Sequence, residues 1–237
     1  MSIKKHIPNC ITCCNLISGC IATYYAIYSL YDYALLFIII GAVFDLFDGM
    51  SARLLNVSSP IGKELDSLAD DITFGLAPST IVFSFLMEQN WTGIMQGNRL
   101  AFVLPFLSFV MAAFSALRLA KFNLDERQAL GFIGLPTPAN ALFWGSLIAG
   151  AGSWLSTVPY ICYILLAGVF LSCYLLIAEI PMFALKFKHW GWKGNEIKYV
   201  FVLSCVPLLL LLGVSGFAAI IAWYVVLSEF ANVTKKK

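Results

Sequence analysis

The chain has 237 residues, of which 60% are hydrophobic and only 12% charged, and its mean hydropathy is +0.85. A soluble domain carries about 25% charged residues, so this composition excludes an ordinary water-soluble globule and indicates a polytopic membrane protein. The net charge of +2 decides little, because in such a protein the placement of charge matters more than its sum.

The first apolar stretch follows Lys4 and Lys5 and resembles a signal peptide. Asn9, Thr12 and Asn15 interrupt what should be a clean apolar run, so it is read as a retained first transmembrane helix. The lipoprotein-like box from Ile17 to Cys20 is then a coincidence. Hydrophobic stretches recur at about 8–30, 33–54, 60–87, 100–122, 138–155, 159–184, 197–213 and 216–232, which is about eight spans. The expected fold class is all-α, a transmembrane helical bundle forming a single integral membrane domain over 1–237.

Charge placement gives this bundle an orientation. With a cytoplasmic N-terminus, Lys4, Lys5, Arg53, Lys63, Arg118, Lys121, Arg127, Lys186, Lys188, Lys193, Lys198 and Lys235 to Lys237 all fall inside, and only Arg99 falls outside. Both termini are therefore expected in the cytoplasm. Pro8, Ser59-Pro60 and Thr137-Pro138 have the form of helix starts on that side, with Ser59 and Thr137 as N-caps. Free N–H groups at such starts favour phosphate.

The seven cysteines are scattered through apolar segments, and Cys10 and Cys13 form a C-x-x-C with no second pair to complete a zinc site. The only histidines, His6 and His189, lie in basic flanks, so a histidine base or a histidine-bound metal is disfavoured.

The chemistry is concentrated between residues 45 and 70. Asp45, Asp48, Gly49 and Ala52 fall on one stripe of the second span, and Gly62, Asp66 and Asp70 on one stripe of the third. A charged residue at the centre of a membrane helix costs about 2.5–3.5 kcal/mol, so four acids close together need a compensating ligand. The topology puts them at the cytoplasmic interface, which suits work on a lipid headgroup better than a pore. Oxygen-only ligands select Mg²⁺ or Mn²⁺, and a carboxylate cluster of this kind holds two ions. Asp45, Asp48 and Asp66 are natural ligands. Asp70 either completes the metal shell or accepts a proton from an attacking hydroxyl. Arg53 is placed for phosphate binding. A purely structural role, holding two helices together, explains one acid better than four.

These residues resemble the D-x₂-D-G-x₂-A-R-x₈-G-x₃-D-x₃-D motif of the CDP-alcohol phosphatidyltransferases, with every defined position matched. The resemblance implies a dimeric membrane enzyme on a six-helix core, which displaces CMP from a CDP-linked lipid by an alcohol and uses divalent metal. By motif position, Asp45, Asp48, Asp66 and Asp70 would bind metal, Asp70 would also take the proton, and Gly49, Ala52, Arg53, Ser59 and Gly62 would surround the CDP moiety. The last two spans, about 197–232, lie beyond that core.

Further stretches are similar to one branch of the family, the bacterial and archaeal phosphatidylserine synthases. They are Pro8-Asn9 with Thr12, residues Asp70 to Pro78, Arg118 to Asn123 and Gly134 to Pro138. The branch implies CDP-diacylglycerol and L-serine as substrates, at the cell (inner) membrane. Asn9 and Thr12 then either read the cytosine or diphosphate or bond helix to helix. Arg118, with Lys121 and Asn123, either holds a carboxylate or phosphate or snorkels to the interface. Asp71 points about 100° away from Asp70 and packs elsewhere. The Lys186 to Lys198 group is read as topology and attraction to anionic lipid. The alternatives are another acceptor (glycerol 3-phosphate, inositol or inositol phosphate), or a cation or proton transporter with the aspartates as relay.

Overall fold

The structure is a computed structural model that describes residues 6–57, 59–91, 99–124, 132–183, 191–192 and 195–235. Lys4, Lys5, Arg127, Lys186, Lys188, His189, Lys193, Lys236 and Lys237 lie outside the described residues, and so does that part of the charge argument.

Helix α1 (His6–Ile27) and helix α2 (Tyr31–Leu54) form a hairpin packed along its length, turned at Ser29 with a positive φ of 58°. Their shared face is built from small residues, with Gly19, Ala22 and Ala26 buried on α1 and Ala34 and Gly41 buried on α2. Small side chains let membrane helices approach closely, which is why this pair needs no large apolar ridge between them. The box from Ile17 to Cys20 lies inside α1 with no break.

Helix α3 (Pro60–Asp70) starts as the sequence predicts. The Ser59 side chain accepts a 2.9 Å hydrogen bond from the Gly62 N–H, and Pro60 takes the first helical position. The expected span over 60–87 is not a uniform helix, however. A π-helical turn, Asp71–Leu76, joins α3 to α4 (Ala77–Glu88). A π-turn inserts an extra residue into the helical ladder, and such turns gather at functional sites. Here it rotates Thr73 into the α1–α2 seam, where its hydroxyl donates to the Asn15 carbonyl at 3.0 Å.

Two 3₁₀ turns, Arg99–Phe102 and Leu104–Phe109, lead into α5 (Val110–Leu124). Helix α6 (Thr137–Leu155) packs against α2 and α4, and α7 (Ile161–Ile177) returns along α5, followed by α8 (Glu196–Leu212) and α9 (Gly216–Lys235). The expected span at 159–184 stops early, because residues Pro181–Met182 extend and pair antiparallel with Phe132–Ile133. Strands this short leave no alternation in a sequence to read. Gly134, at φ 73°, seats this bridge: its N–H bonds Ile180 O at 2.9 Å, and a Cβ there would lie 2.9 Å from Ala178 O.

Phe74, Ile81, Phe85, Met111, Trp144 and Val169 fill the centre of the bundle. Trp144 satisfies its indole N–H on Ser172 Oγ at 3.0 Å. By contrast α8 buries only Phe201 and exposes Leu210 and Leu211 at 81% and 82%, a surface that suits lipid rather than water. Among the described residues four helical stretches are long and apolar enough to cross a membrane: His6–Ile27, Tyr31–Leu54, Leu104–Leu124 and Glu196–Asn232. The protein is an all-α membrane protein.

Candidate functional site

The site forms where the last turns of α2 meet α3. Asp45 and Asp48 are one turn apart on α2, and Asp66 and Asp70 one turn apart on the helix that starts at the Ser59 cap. One carboxylate oxygen from each of Asp45, Asp48 and Asp66 lies within 4.8 Å of the others. Asp70 stands outside this triplet but within electrostatic range of all three.

Helix α1 supports both pairs of acids from below. The Thr12 hydroxyl donates to Asp48 Oδ2 at 2.5 Å, and the Asn15 amide donates to Asp70 Oδ1 at 3.0 Å. Both residues are buried, Asn15 at 0% exposure and Thr12 at 2%. Asp66 Oδ1 is buried with no hydrogen-bond partner. Three converging carboxylates and an orphaned oxygen are an arrangement that a divalent cation would complete, and the all-oxygen donor set fits a hard ion such as Mg²⁺ or Mn²⁺.

A cavity of about 210 Å³ opens beside the triplet, with Asp48 and Asp66 in its wall. The structure brings six of the sequence-predicted binding residues to it: Asn9, Thr12, Gly49, Ala52, Ser59 and Gly62. Gly49 faces open space, with nothing within 4 Å of where a Cβ would stand. Gly62 sits where a Cβ would come to 3.0 Å from both Asn9 Oδ1 and Ser59 Oγ.

The other four predicted residues lie elsewhere. Arg53 is exposed and does not line the cavity; its Nε donates to Gly49 O of its own helix at 3.0 Å. Arg118 is buried on α5, within electrostatic range of Asp70, with its guanidinium carbon 5.4 Å from the centre of the Phe122 ring. Its Nη1 makes a long 3.4 Å hydrogen bond to Thr137 Oγ1. Thr137 is consequently not the N-cap that the sequence suggests. It is the first helical residue, Pro136 holds the cap position, and the hydroxyl faces Arg118 instead. Lys121 is exposed. Asn123 donates to Ser67 Oγ at 2.7 Å, tying the end of α5 to α3. Asp71 packs away from the triplet, with its Oδ1 buried and unpartnered beside Gly75.

Three contributors escape a motif-based reading: Asn15, Lys63 and Thr137. For Asn15 a signal existed. Asn9, Thr12 and Asn15 recur every three residues, which is a polar stripe on one helical face and not only an interruption of an apolar run. Lys63 lines the cavity with the acids, although charge placement alone assigned it to topology.

Comparison with known proteins gives the family. A family model described as CDP-alcohol phosphatidyltransferase matches residues 5–230, a range that includes the last two helices. A Bacillus subtilis protein named CDP-diacylglycerol–serine O-phosphatidyltransferase is 34% identical over 196 residues, covering 81% of this chain and 95% of that protein. Proteins of the same name from Helicobacter pylori and Mycobacterium leprae are 35% and 31% identical, over 57% and 74% of this chain. The chain spans about half the length of these two, 54% and 57%. The chain is an enzyme of the CDP-alcohol phosphatidyltransferase family.

Proposed function

We propose that this enzyme transfers the phosphatidyl group of CDP-diacylglycerol to the hydroxyl of L-serine, giving phosphatidylserine and CMP. The observation that carries the reading is the carboxylate triplet opening onto a cavity at the ends of two membrane helices. The choice of serine is supported by the names of the relatives and by the Arg118 to Asn123 and Gly134 to Pro138 stretches.

Asp45, Asp48 and Asp66 would hold divalent metal, two ions with Asp70 completing the set. When bound, the metal supplies charge stabilisation for the diphosphate and the leaving CMP. The remaining work belongs to the chain. Asn9, Thr12, Gly49, Ala52, Ser59 and Gly62 form the wall against which the CDP group lies, and Arg53, which bonds its own helix outside the cavity, would have to turn to reach a phosphate. Asp70, oriented by Asn15, takes the proton from the serine hydroxyl. The serine oxygen forms its bond to the phosphorus that carries diacylglycerol, and the bond from that phosphorus to the CMP oxygen breaks. Arg118, with Lys121 and Asn123 nearby, takes the serine carboxylate, since a buried guanidinium with one long hydrogen bond is a ready partner for a planar anion.

About eight spans with both termini cytoplasmic, a homodimer, and a site on the cytoplasmic face of the cell membrane complete the proposal. Its supports are the positive-inside distribution and the family resemblance.

Purified protein given CDP-diacylglycerol, Mg²⁺ or Mn²⁺, and serine, inositol or glycerol 3-phosphate in parallel tests the reading. CMP release with serine alone, abolished by EDTA and by Asp70→Asn, is the expected result. Release with another acceptor in place of serine overturns the choice of substrate, and turnover undiminished in EDTA overturns the metal assignment.

A further inference from the structure

Among the described residues that line the cavity, Lys63 is the sole cation, and it stands one residue after Gly62 and three before Asp66. Its ammonium is engaged elsewhere. Nζ donates at 2.8 Å to the carbonyl oxygen of Asn123, in the last turn of α5. The same asparagine donates its side-chain amide to Ser67 Oγ at 2.7 Å, and Ser67 in turn bonds Lys63 O at 3.3 Å. Lys63, Asn123 and Ser67 thus form a clasp that fastens the end of α5, the helix of Arg118 and Lys121, to the helix of Asp66 and Asp70.

We propose that Lys63 is a two-position residue: it caps α5 in the free enzyme and turns to the phosphate of a nucleoside diphosphate when the cavity fills, releasing the end of α5. The inference rests on the reading of the cavity as the CDP pocket. Three physical points carry it. A carbonyl at a helix C-terminus is a good partner for a cation but a weaker one than a phosphate, which carries full charge. The cavity wall contains two acids, Asp48 and Asp66, so an entering dianion needs cationic company beyond whatever metal those acids hold. Finally, Lys63 is exposed and unbranched with rotatable bonds along its stem, so moving the ammonium between partners on two sides of one helix disturbs no packed core. Arg53, the cation that the motif would nominate for this duty, points outside the cavity and bonds its own helix. Freeing the last turn of α5 after the nucleotide is seated would give the acceptor access to Arg118 only when its reaction partner is present.

The test uses CDP itself as the probe, with the full-length protein in detergent and Mg²⁺ present. Titration calorimetry gives its Kd for wild type, Lys63→Met, Lys63→Arg and Ser67→Ala, and hydrogen exchange follows amides 121–124 with and without CDP. Loss of a charge-assisted phosphate contact predicts about 10- to 100-fold weaker binding by Lys63→Met. Lys63→Arg is expected to restore most of the affinity. Ser67→Ala removes only the Asn123 side-chain bond of the clasp, leaves the Lys63–Asn123 contact in place and does not touch the cavity, so CDP binding is expected not to weaken. CDP is expected to speed exchange at 121–124 in wild type and to have no such effect in Lys63→Met, whose α5 end has already lost the lysine's bond to Asn123. Equal CDP affinity in wild type and Lys63→Met overturns the phosphate role, and exchange slowed or unaltered by CDP in wild type overturns the release of α5. Failure of wild type itself to bind CDP overturns the reading of the cavity, and this proposal with it.

Discussion

The Asn15 amide donates a 3.0 Å hydrogen bond to Asp70 Oδ1, joining the middle of the first helix to the last acid of the motif. Asn15 is fully buried, and its own backbone carbonyl accepts from Thr73 in the π-turn that directly follows Asp70. The carboxylate proposed to take the proton is therefore held by a side chain from α1, and the backbone after it is pinned by the same residue. Asn15→Leu keeps the volume and removes the donor. A misplaced catalytic group costs on the order of 100-fold in rate, so turnover is expected to fall by about that factor. The affinity for CDP is expected to remain, since Asn15 does not line the cavity. Steady-state CMP release and CDP titration check the two halves separately. A rise in the CDP Kd matching the loss of rate would sink the positioning role.

Thr12 plays the equivalent part for Asp48, donating to Oδ2 at 2.5 Å. A hydrogen bond to a ligating carboxylate fixes its orientation, and losing such a partner typically costs about 10- to 100-fold in metal affinity. Thr12→Val is isosteric and removes only the hydroxyl. The Mn²⁺ concentration needed for half-maximal CMP release is expected to rise at least about tenfold, while Thr12→Ser restores it. An unchanged metal dependence in Thr12→Val would assign Thr12 to helix packing alone.

How much of this was legible in the sequence follows the range of the interaction. Asp45, Asp48, Gly49, Ala52, Ser59, Gly62 and Asp66 are positioned by helical periodicity and one N-cap, both local, and the structure brings all of them to one place. The Thr137 hydroxyl went the other way because a buried guanidinium on α5 competes for it, and no local rule contains that contact. The π-turn at Asp71–Leu76 was equally hidden, since its cause is tertiary: Thr73 reaching the α1–α2 seam and Gly75 making room for Asp71 and Ser115. Arg53 and Lys63 exchanged places for a related reason. A motif gives order along the chain, but which cation lines a cavity depends on where each stem leaves its helix.

The close seam between α1 and the π-turn predicts a contrast between two glycines. A Cβ on Gly19 would lie 2.8 Å from Thr73 Cα and 2.9 Å from Thr73 N, which are backbone atoms with no rotamer to yield. Gly19→Ala must push α1 off the turn that Asn15 and Thr73 hold together, and overpacking of this kind costs about 1–3 kcal/mol. Thermal stability and turnover are expected to drop together. At Gly49 a Cβ would meet nothing within 4 Å, and the residue faces the cavity. Gly49→Ala is therefore expected to keep the wild-type Tm while raising KM for CDP-diacylglycerol. Thermal denaturation in detergent beside initial-rate measurements separates them. Equal Tm losses in the two variants would refute the seam argument.

Arg118 supplies the last prediction, because among the described residues its guanidinium makes one long hydrogen bond and feels Asp70 only through its charge. It is buried at 8% exposure, lies over the Phe122 ring at 5.4 Å, and makes one long hydrogen bond to Thr137. A buried guanidinium so placed offers its planar fork to a carboxylate, a geometry that an ammonium does not reproduce. Arg118→Lys keeps the charge and removes the fork. KM for serine is expected to rise about tenfold or more, with the CDP Kd unchanged. The competing role is support of Asp70, whose charge Arg118 also feels. That role would lower kcat at saturating serine and leave the serine KM in place, so the split between the two constants decides which partner the guanidinium serves.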